Sequence, residues 1–482
     1  MSENKNSGKG KLKLFTENML VYGFGGVISR LVPFIMVPIL AKLMSKKYFG
    51  LADNANVVIS FGSAIAIMGM YDAMYRYFFE KEDDKYKKTV CSTTVYFTLG
   101  MSLLVSTVMV LFHNLLSMVA FKTTEYSYVI YISAVATLVS ATNGIISAPT
   151  RMQNKRKVFL VTNTISPILS YSISIPLILK GYYVVALPIA ALISGITMEI
   201  AFLIMNRKWF DIRLFDPKLL KKLLVMAVPL LPNVLIYWVF NSSDRLMITN
   251  IIDLDANGLY SVGAKLGHAS QLIYTAFAGG WQFFAFSTMK EKDQVKSNSN
   301  IFDYLSAITF AATAFICVIS KVFFQSIFPE EFWDGYIVAP YLFLAPLLQM
   351  LFQVSGNQFL VVKKTWPLSV LLLGGAALNV LCNYELIPII GIEGAAIGTL
   401  LGYLSTLLIT VAVLARMKLL VINKRIVFIY IMMTVFFLAW RFVFKANLIT
   451  GIVAFAAFCA ILLMLYHKEL KNLIGMIRRK SK

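Results

Sequence analysis

Four cations, Arg30, Arg76, Arg245 and Lys265, interrupt long apolar stretches of a chain whose remaining positive charge is confined to short polar segments. A cation at the centre of a membrane span costs about 2.5–3.5 kcal/mol even on the insertion scale, so its retention implies a task and an anionic partner. The chemistry these groups offer is electrostatic attraction of a phosphate or carboxylate, with no transfer of atoms. They are read as substrate-binding residues. Two carboxylates stand beside them as charge-pairing neighbours. Asp72 precedes Arg76 by one helical turn, the i,i+4 spacing at which an ion pair can form, and Asp244 adjoins Arg245 and can neutralise it or Lys265.

The bland reading of each cation is a long side chain that carries its head to the membrane interface. Arg30 lies about 18 Å from either end of its apolar run at ~1.5 Å per residue, beyond the reach of one side chain. Arg76 lies three residues before Phe79, where its run ends, and Arg245 and Lys265 sit five or six residues from their ends. For these three, snorkelling and pairing stay open beside the cavity-lining reading.

Other chemistry finds no constellation. Cys91, Cys317, Cys382 and Cys459 stand singly in apolar runs, and His113, His268 and His467 are scattered. Neither a disulfide framework nor a metal site is legible, nor is a nucleotide-binding loop or paired-acid motif. No catalytic residue, metal or cofactor is expected, and the chain is read as a non-enzyme.

The elements that must position the cations are helices. At 482 residues, 58% hydrophobic and with a mean hydropathy of +0.73, the chain is far more apolar than a soluble domain. About fourteen apolar runs are long enough to cross ~30 Å of hydrocarbon as helix. The first covers 18–43, the second 51–79, the seventh 223–250 and the eighth 259–288. Prolines at 33, 38, 229 and 232 predict bent or interrupted helices, because proline removes a backbone donor and clashes with the preceding turn. The class is an all-α polytopic membrane protein.

Of the 45 Lys and Arg, 33 fall on one set of alternate segments, 8 on the other and 4 within spans. Basic residues are retained in the cytoplasm, so both termini are expected there, and no cleavable signal is evident at the start. This topology and attraction to anionic lipids explain the +21 net charge without nucleic acid.

An internal repeat organises the chain. Ala41–Asn56 aligns on Thr249–Ala264 without a gap at an offset of 208, superposing Gly50-Leu51 on Gly258-Leu259. Gly181 falls on Gly391 at an offset of 210, and the basic turn at Asn154–Lys157 falls close to Lys363–Trp366. An even number of helices per copy gives both copies one membrane orientation. The expected division is a six-helix bundle over 1–205, a cytoplasmic interfacial linker over 206–222, a second six-helix bundle over 223–425, and two further helices with a basic tail over 426–482.

Three segments, taken in order, resemble bacterial polysaccharide flippases of the multidrug/oligosaccharidyl-lipid/polysaccharide (MOP) exporter superfamily. They are PFIMVPILAKLMSKKYFGL (Pro33–Leu51), SSDRLMI leading to NGLYSVGAKL (Ser242–Leu266), and GIEGAAIGTLLG (Gly391–Gly402). The resemblance implies a MATE-like V-shaped fold, alternating access, and movement of an undecaprenyl-diphosphate-linked oligosaccharide from the inner to the outer leaflet. Arg30, Arg76 and Arg245 look similar to the family's cavity-facing basic residues, whereas Lys265 rests on its own placement. The implied setting is a bacterial cytoplasmic membrane, where the chain is a monomer beside anionic lipids and a polysaccharide polymerase, in a pathway such as O-antigen or exopolysaccharide assembly. Multidrug export on the same fold is the nearest alternative. A polytopic glycan polymerase or ligase is more distant, since 206–222 is too short to hold a catalytic domain.

Overall fold

The computed structural model describes residues 32–211, 213–287, 293–364, 366–469 and 471, and is helical with no strand among them. Twelve described helices are long and apolar enough to cross a membrane. The other two predicted spans account for the difference from fourteen. The first lies mostly outside the described residues, leaving α1 (Val32–Ala41). The eighth is broken into α13 (Leu254–Gly267) and α14 (Ser270–Ser287). At that break a Cβ on Gly267 would lie 2.6 Å from Cβ of Leu342, so only glycine admits the approach.

The remaining helices are α2 (Lys46–Ile67), α3 (Met70–Phe78), α4 (Asp84–Leu111), α5 (His113–Phe121), α6 (Ser127–Ile146), α7 (Ala148–Met152), α8 (Arg156–Leu179) and α9 (Tyr183–Asn206), followed by α10 (Pro217–Ala227), α11 (Leu231–Trp238) and α12 (Asp244–Ile251). After α14 come α15 (Gln294–Ile327), α16 (Ala339–Val361), α17 (Trp366–Ile390), α18 (Ile392–Arg416), α19 (Lys424–Leu438) and α20 (Leu448–Leu465). Two compact units form. One holds residues up to Lys265 together with Leu372–Gly402, the other Leu266–Leu371 together with Tyr403–Lys482.

In the first unit the second predicted span breaks where Met68 and Gly69 both take left-handed backbone, with φ of 49° and 74°. A side chain at Gly69 would also meet the carbonyl of Ala227 at 2.5 Å, so glycine is required twice over. The break redirects α3, which carries Asp72 and Arg76. The linker lies against this region. Trp209, Leu219 and Leu223 bury themselves among Met70, Met74, Phe78, Val90 and Ile145. The Asp216 carboxylate caps α10 by accepting from the amides of Lys218 and Leu219 at 2.8 and 3.2 Å. Helix α10 is amphipathic, and protein covers its apolar face.

The seventh span breaks at its prolines, as expected. A 3-10 turn at Val228–Leu230 separates α10 from α11, and a π turn at Val239–Ser243 separates α11 from α12.

In the second unit α16 is the most enclosed span, 89% buried, and α15, α19 and α20 pack in the same unit. Arg425 at the start of α19 ties this unit together. Its guanidinium meets buried Asp303 on α15 through Nε at 3.1 Å and through Nη2, and Glu469 through Nη1 at 2.6 Å. Tyr466 donates to Asp303 at 2.5 Å and offers Arg425 its ring face, with Cζ 4.0 Å from the centroid.

Offsets within one residue of those of the repeat reappear in local geometry. Asn154 and Lys363 both take left-handed backbone, and the amide that follows each bonds the carbonyl five residues back, Lys155 to Thr150 at 3.0 Å and Lys364 to Phe359 at 2.8 Å. Gly181 and Gly391 likewise share positive φ at the turns before α9 and α18.

Candidate functional site

The π turn at Val239–Ser243 builds a charged, enclosed site in the first unit. Widening a helix leaves carbonyls without their usual amide four residues on, and such bulges concentrate at functional sites. Here side chains answer those carbonyls. Asn241 donates to Tyr237 at 2.6 Å, Ser243 donates to Val239 at 2.7 Å, and the Arg245 guanidinium donates to the carbonyl of Asn241.

The next turn sets Asp244 and Arg245 facing charge. Nε of Arg245 lies 2.6 Å from Asp53 on α2, and Nη1 lies 3.8 Å from Asp244. The Nε–H does not run along the line to the Asp53 oxygen, so the contact is an ion pair and not an aligned hydrogen bond. Asp244 is buried and accepts from the hydroxyl of Tyr260 on α13. Two carboxylates therefore enclose one guanidinium. The Arg245 charge is already answered inside the protein, with one formal negative charge left over.

Neutral polar groups extend the cluster. Asn54 donates to the carbonyl of Ala120 and to Thr249, both at 2.6 Å, and Asn257 donates to the carbonyl of Gly50 and to Asn54, both at 3.0 Å. These bonds join α2, α5, α12 and α13 where hydrocarbon cannot supply partners. Among the described residues, no group of three or more His, Cys, Asp or Glu is placed to hold a metal.

The other sequence-derived residues are dispersed. Arg76 is exposed in the last turn of α3, and Lys265 is exposed near the end of α13. Neither makes an ion pair among the described residues, and none joins Asp72 to Arg76. Helical spacing permits that pair without compelling it, since both side chains reach solvent-accessible surface. Arg30 lies outside the described residues. Sequence reasoning missed Asp53 and Tyr260. Asp53 was visible as an acid just inside the second apolar run, but nothing in the sequence pairs it with a residue 192 positions later.

The family model described as polysaccharide biosynthesis protein matches residues 39–337. No curated sequence matches the chain. Among solved structures, lipid II flippase MurJ in an inward closed conformation superposes with a TM-score of 0.71 at 13% identity, over 94% of this chain and 100% of that one. An inward-facing multidrug resistance MATE family transporter of the MOP superfamily gives 0.59 at 14% identity, over 81% and 98%. The MATE multidrug transporter DinF-BH gives 0.60 at 13% identity, over 86% and 96%. At these identities the likeness establishes the fold. The chain is a multi-pass membrane protein on the MurJ and MATE fold and belongs to the polysaccharide biosynthesis protein family.

Proposed function

We propose that the protein is a flippase that moves an undecaprenyl-diphosphate-linked oligosaccharide from the cytoplasmic to the outer leaflet by alternating access. The observation that carries this reading is the conjunction of family and fold. A polysaccharide biosynthesis family match covers 39–337, and a flippase for another lipid-linked precursor shares the fold across 94% of the chain. No bond is made or broken in this process.

In the proposal, Arg30, Arg76 and Lys265 meet the diphosphate. Arg76 and Lys265 are exposed and carry no ion pair among the described residues, so their charge is available. Arg245 joins them only on leaving Asp53. An inside-negative potential favours outward passage of each negative charge by about 2.3 kcal/mol per 100 mV, provided the charge crosses the whole field. The chain acts as a monomer in the cytoplasmic membrane with both termini inside, beside anionic lipids and a polymerase. The six-plus-six-plus-two division by sequence repeat belongs to the same proposal.

Multidrug export is the rival, since multidrug transporters share the fold. The acids at Asp53 and Asp244 are engaged by Arg245, which disfavours an organic cation there. Deletion of the gene separates the two. The flippase reading expects lipid-linked oligosaccharide to accumulate on the cytoplasmic leaflet. Raised drug sensitivity without such accumulation would replace it with the export reading.

A further inference from the structure

We propose that the first unit holds a polar site for one or two sugar rings, in the cleft between α2, α6, α8 and α9. The inference rests on the lipid-linked glycan reading above and narrows it to where the glycan is gripped.

The cleft encloses about 410 Å³, within the roughly 300–1,000 Å³ of small-ligand sites. Its polar lining includes Asn56 on α2, Ser140 and Asn143 on α6, and Thr162, Asn163 and Ser166 on α8. Hydrocarbon-spanning helices normally commit their polar side chains to the backbone or to one another. On α6 the buried Ser133, Thr137 and Thr142 do so, donating to the carbonyls of Val129, Ser133 and Leu138 at 2.8–2.9 Å. In the cleft, the side chains of Ser140 and Asn143 on the same helix make no hydrogen bond among the described residues, and neither does that of Asn56 on α2. One hydroxyl and two amides thus face the cleft uncommitted, where a ligand can reach them.

The balance of the lining selects the ligand. Among the described residues no carboxylate contributes, so an organic cation finds no counter-charge from them. The polar groups make an acyl chain a poor occupant. Hydroxyls and amides in alternation with apolar Val139 and Met198 suit a ring that presents hydroxyls at its edge and C–H groups on its face. Arg151, the one cation among the described lining residues, stands on α7 with its guanidinium 3.5 Å from the hydroxyl of Tyr71, and gives the cleft a basic end. A neutral sugar joined to a phosphate matches that polarity.

The test uses the full-length chain in detergent and two probes, undecaprenyl diphosphate and the same lipid carrying N-acetylglucosamine. The wild-type protein binds the glycosylated lipid about tenfold more tightly, as expected when uncommitted polar groups gain partners. Asn143→Leu abolishes that preference and leaves affinity for the bare lipid unchanged. Ser140→Ala, which deletes only a hydroxyl exposed to the cleft, reduces the preference and guards against misfolding of the first variant. Preference retained in both variants, or equal binding of the two lipids by the wild type, overturns the sugar site and leaves the transport reading standing. Failure of the wild type to bind either lipid removes the transport reading and this inference with it.

Discussion

Gly50 and Gly258 press against each other's helices through bare backbone. A Cβ on Gly50 would lie 2.0 Å from the carbonyl oxygen of Leu254, and one on Gly258 would lie 1.9 Å from that of Lys46. The repeat offset of 208 carries Lys46 onto Leu254 and Gly50 onto Gly258, so the contact maps onto itself when the copies are exchanged. Equivalent positions of a duplicated segment have become a self-complementary joint between α2 and α13.

Valine at either glycine must part the helices. Gly258→Val is expected to cost about 1–3 kcal/mol through overpacking, because the obstacle is backbone that cannot rotate away. Thermal unfolding in detergent should show a lower midpoint, and complementation of a deletion strain should weaken. An unchanged midpoint would show that the joint yields without cost.

Removing the guanidinium from between Asp53 and Asp244 leaves two acids uncompensated. Arg245→Gln is expected to destabilise the protein by roughly 3–5 kcal/mol, the usual penalty for breaking an enclosed ion pair from one side. Asp53→Asn combined with Arg245→Gln should be less harmful than the sum of the single changes. A double-mutant cycle on unfolding free energies checks this, and strict additivity would deny the coupling.

Arg76→Gln and Lys265→Gln should behave in the opposite way. Both side chains are exposed and make no ion pair among the described residues, so stability should stay within about 0.5 kcal/mol of wild type, while the transport rate drops. Arg30→Gln should likewise reduce transport without abolishing insertion. Undiminished flipping in a reconstituted vesicle assay would strip that residue of its proposed role.

The clamp around Arg425 fastens the last described residues. Asp303→Asn should free Tyr466 and Arg425 together and raise backbone hydrogen exchange across 448–469, with little change in the first unit. The hydrogen bond from Arg425 holds the Glu469 carboxyl below its ordinary value of 4.5. A depressed acid stabilises the folded state above its unfolded value and loses that contribution as pH falls through the folded one. The exchange of this segment should therefore be flat from neutral pH down to about 4.5 and rise below it. A rise centred near pH ~6, the range of a histidine, would point to another group.

Several features were legible in the residues themselves. Apolar run length dictated membrane-spanning helices, because the hydrocarbon thickness fixes how many residues must be apolar in succession. Pro229 and Pro232 announced an interrupted seventh span, since a missing amide acts locally wherever the helix lies. The Gly50 and Gly258 correspondence, and the nearness of the Asn154–Lys157 turn to Lys363–Trp366, were readable because duplication leaves a fixed offset in the chain.

What the chain order could not disclose was which charge answers which. Arg245 reads as an embedded cation with one adjacent acid, yet Asp53, 192 residues earlier, lies 2.6 Å from it and is the nearer of its two carboxylates. The break in the eighth span was equally hidden, as was the close packing of Gly267 on Leu342 beside it. The uncommitted Ser140 and the back-bonded Thr137 are three residues apart on one helix and differ in what stands opposite. Local propensity and hydropathy act through neighbours in sequence and so were determined by the sequence itself, whereas ion pairing, close backbone approach and cavities depend on residues far apart in the chain, and only their meeting in three dimensions decided them.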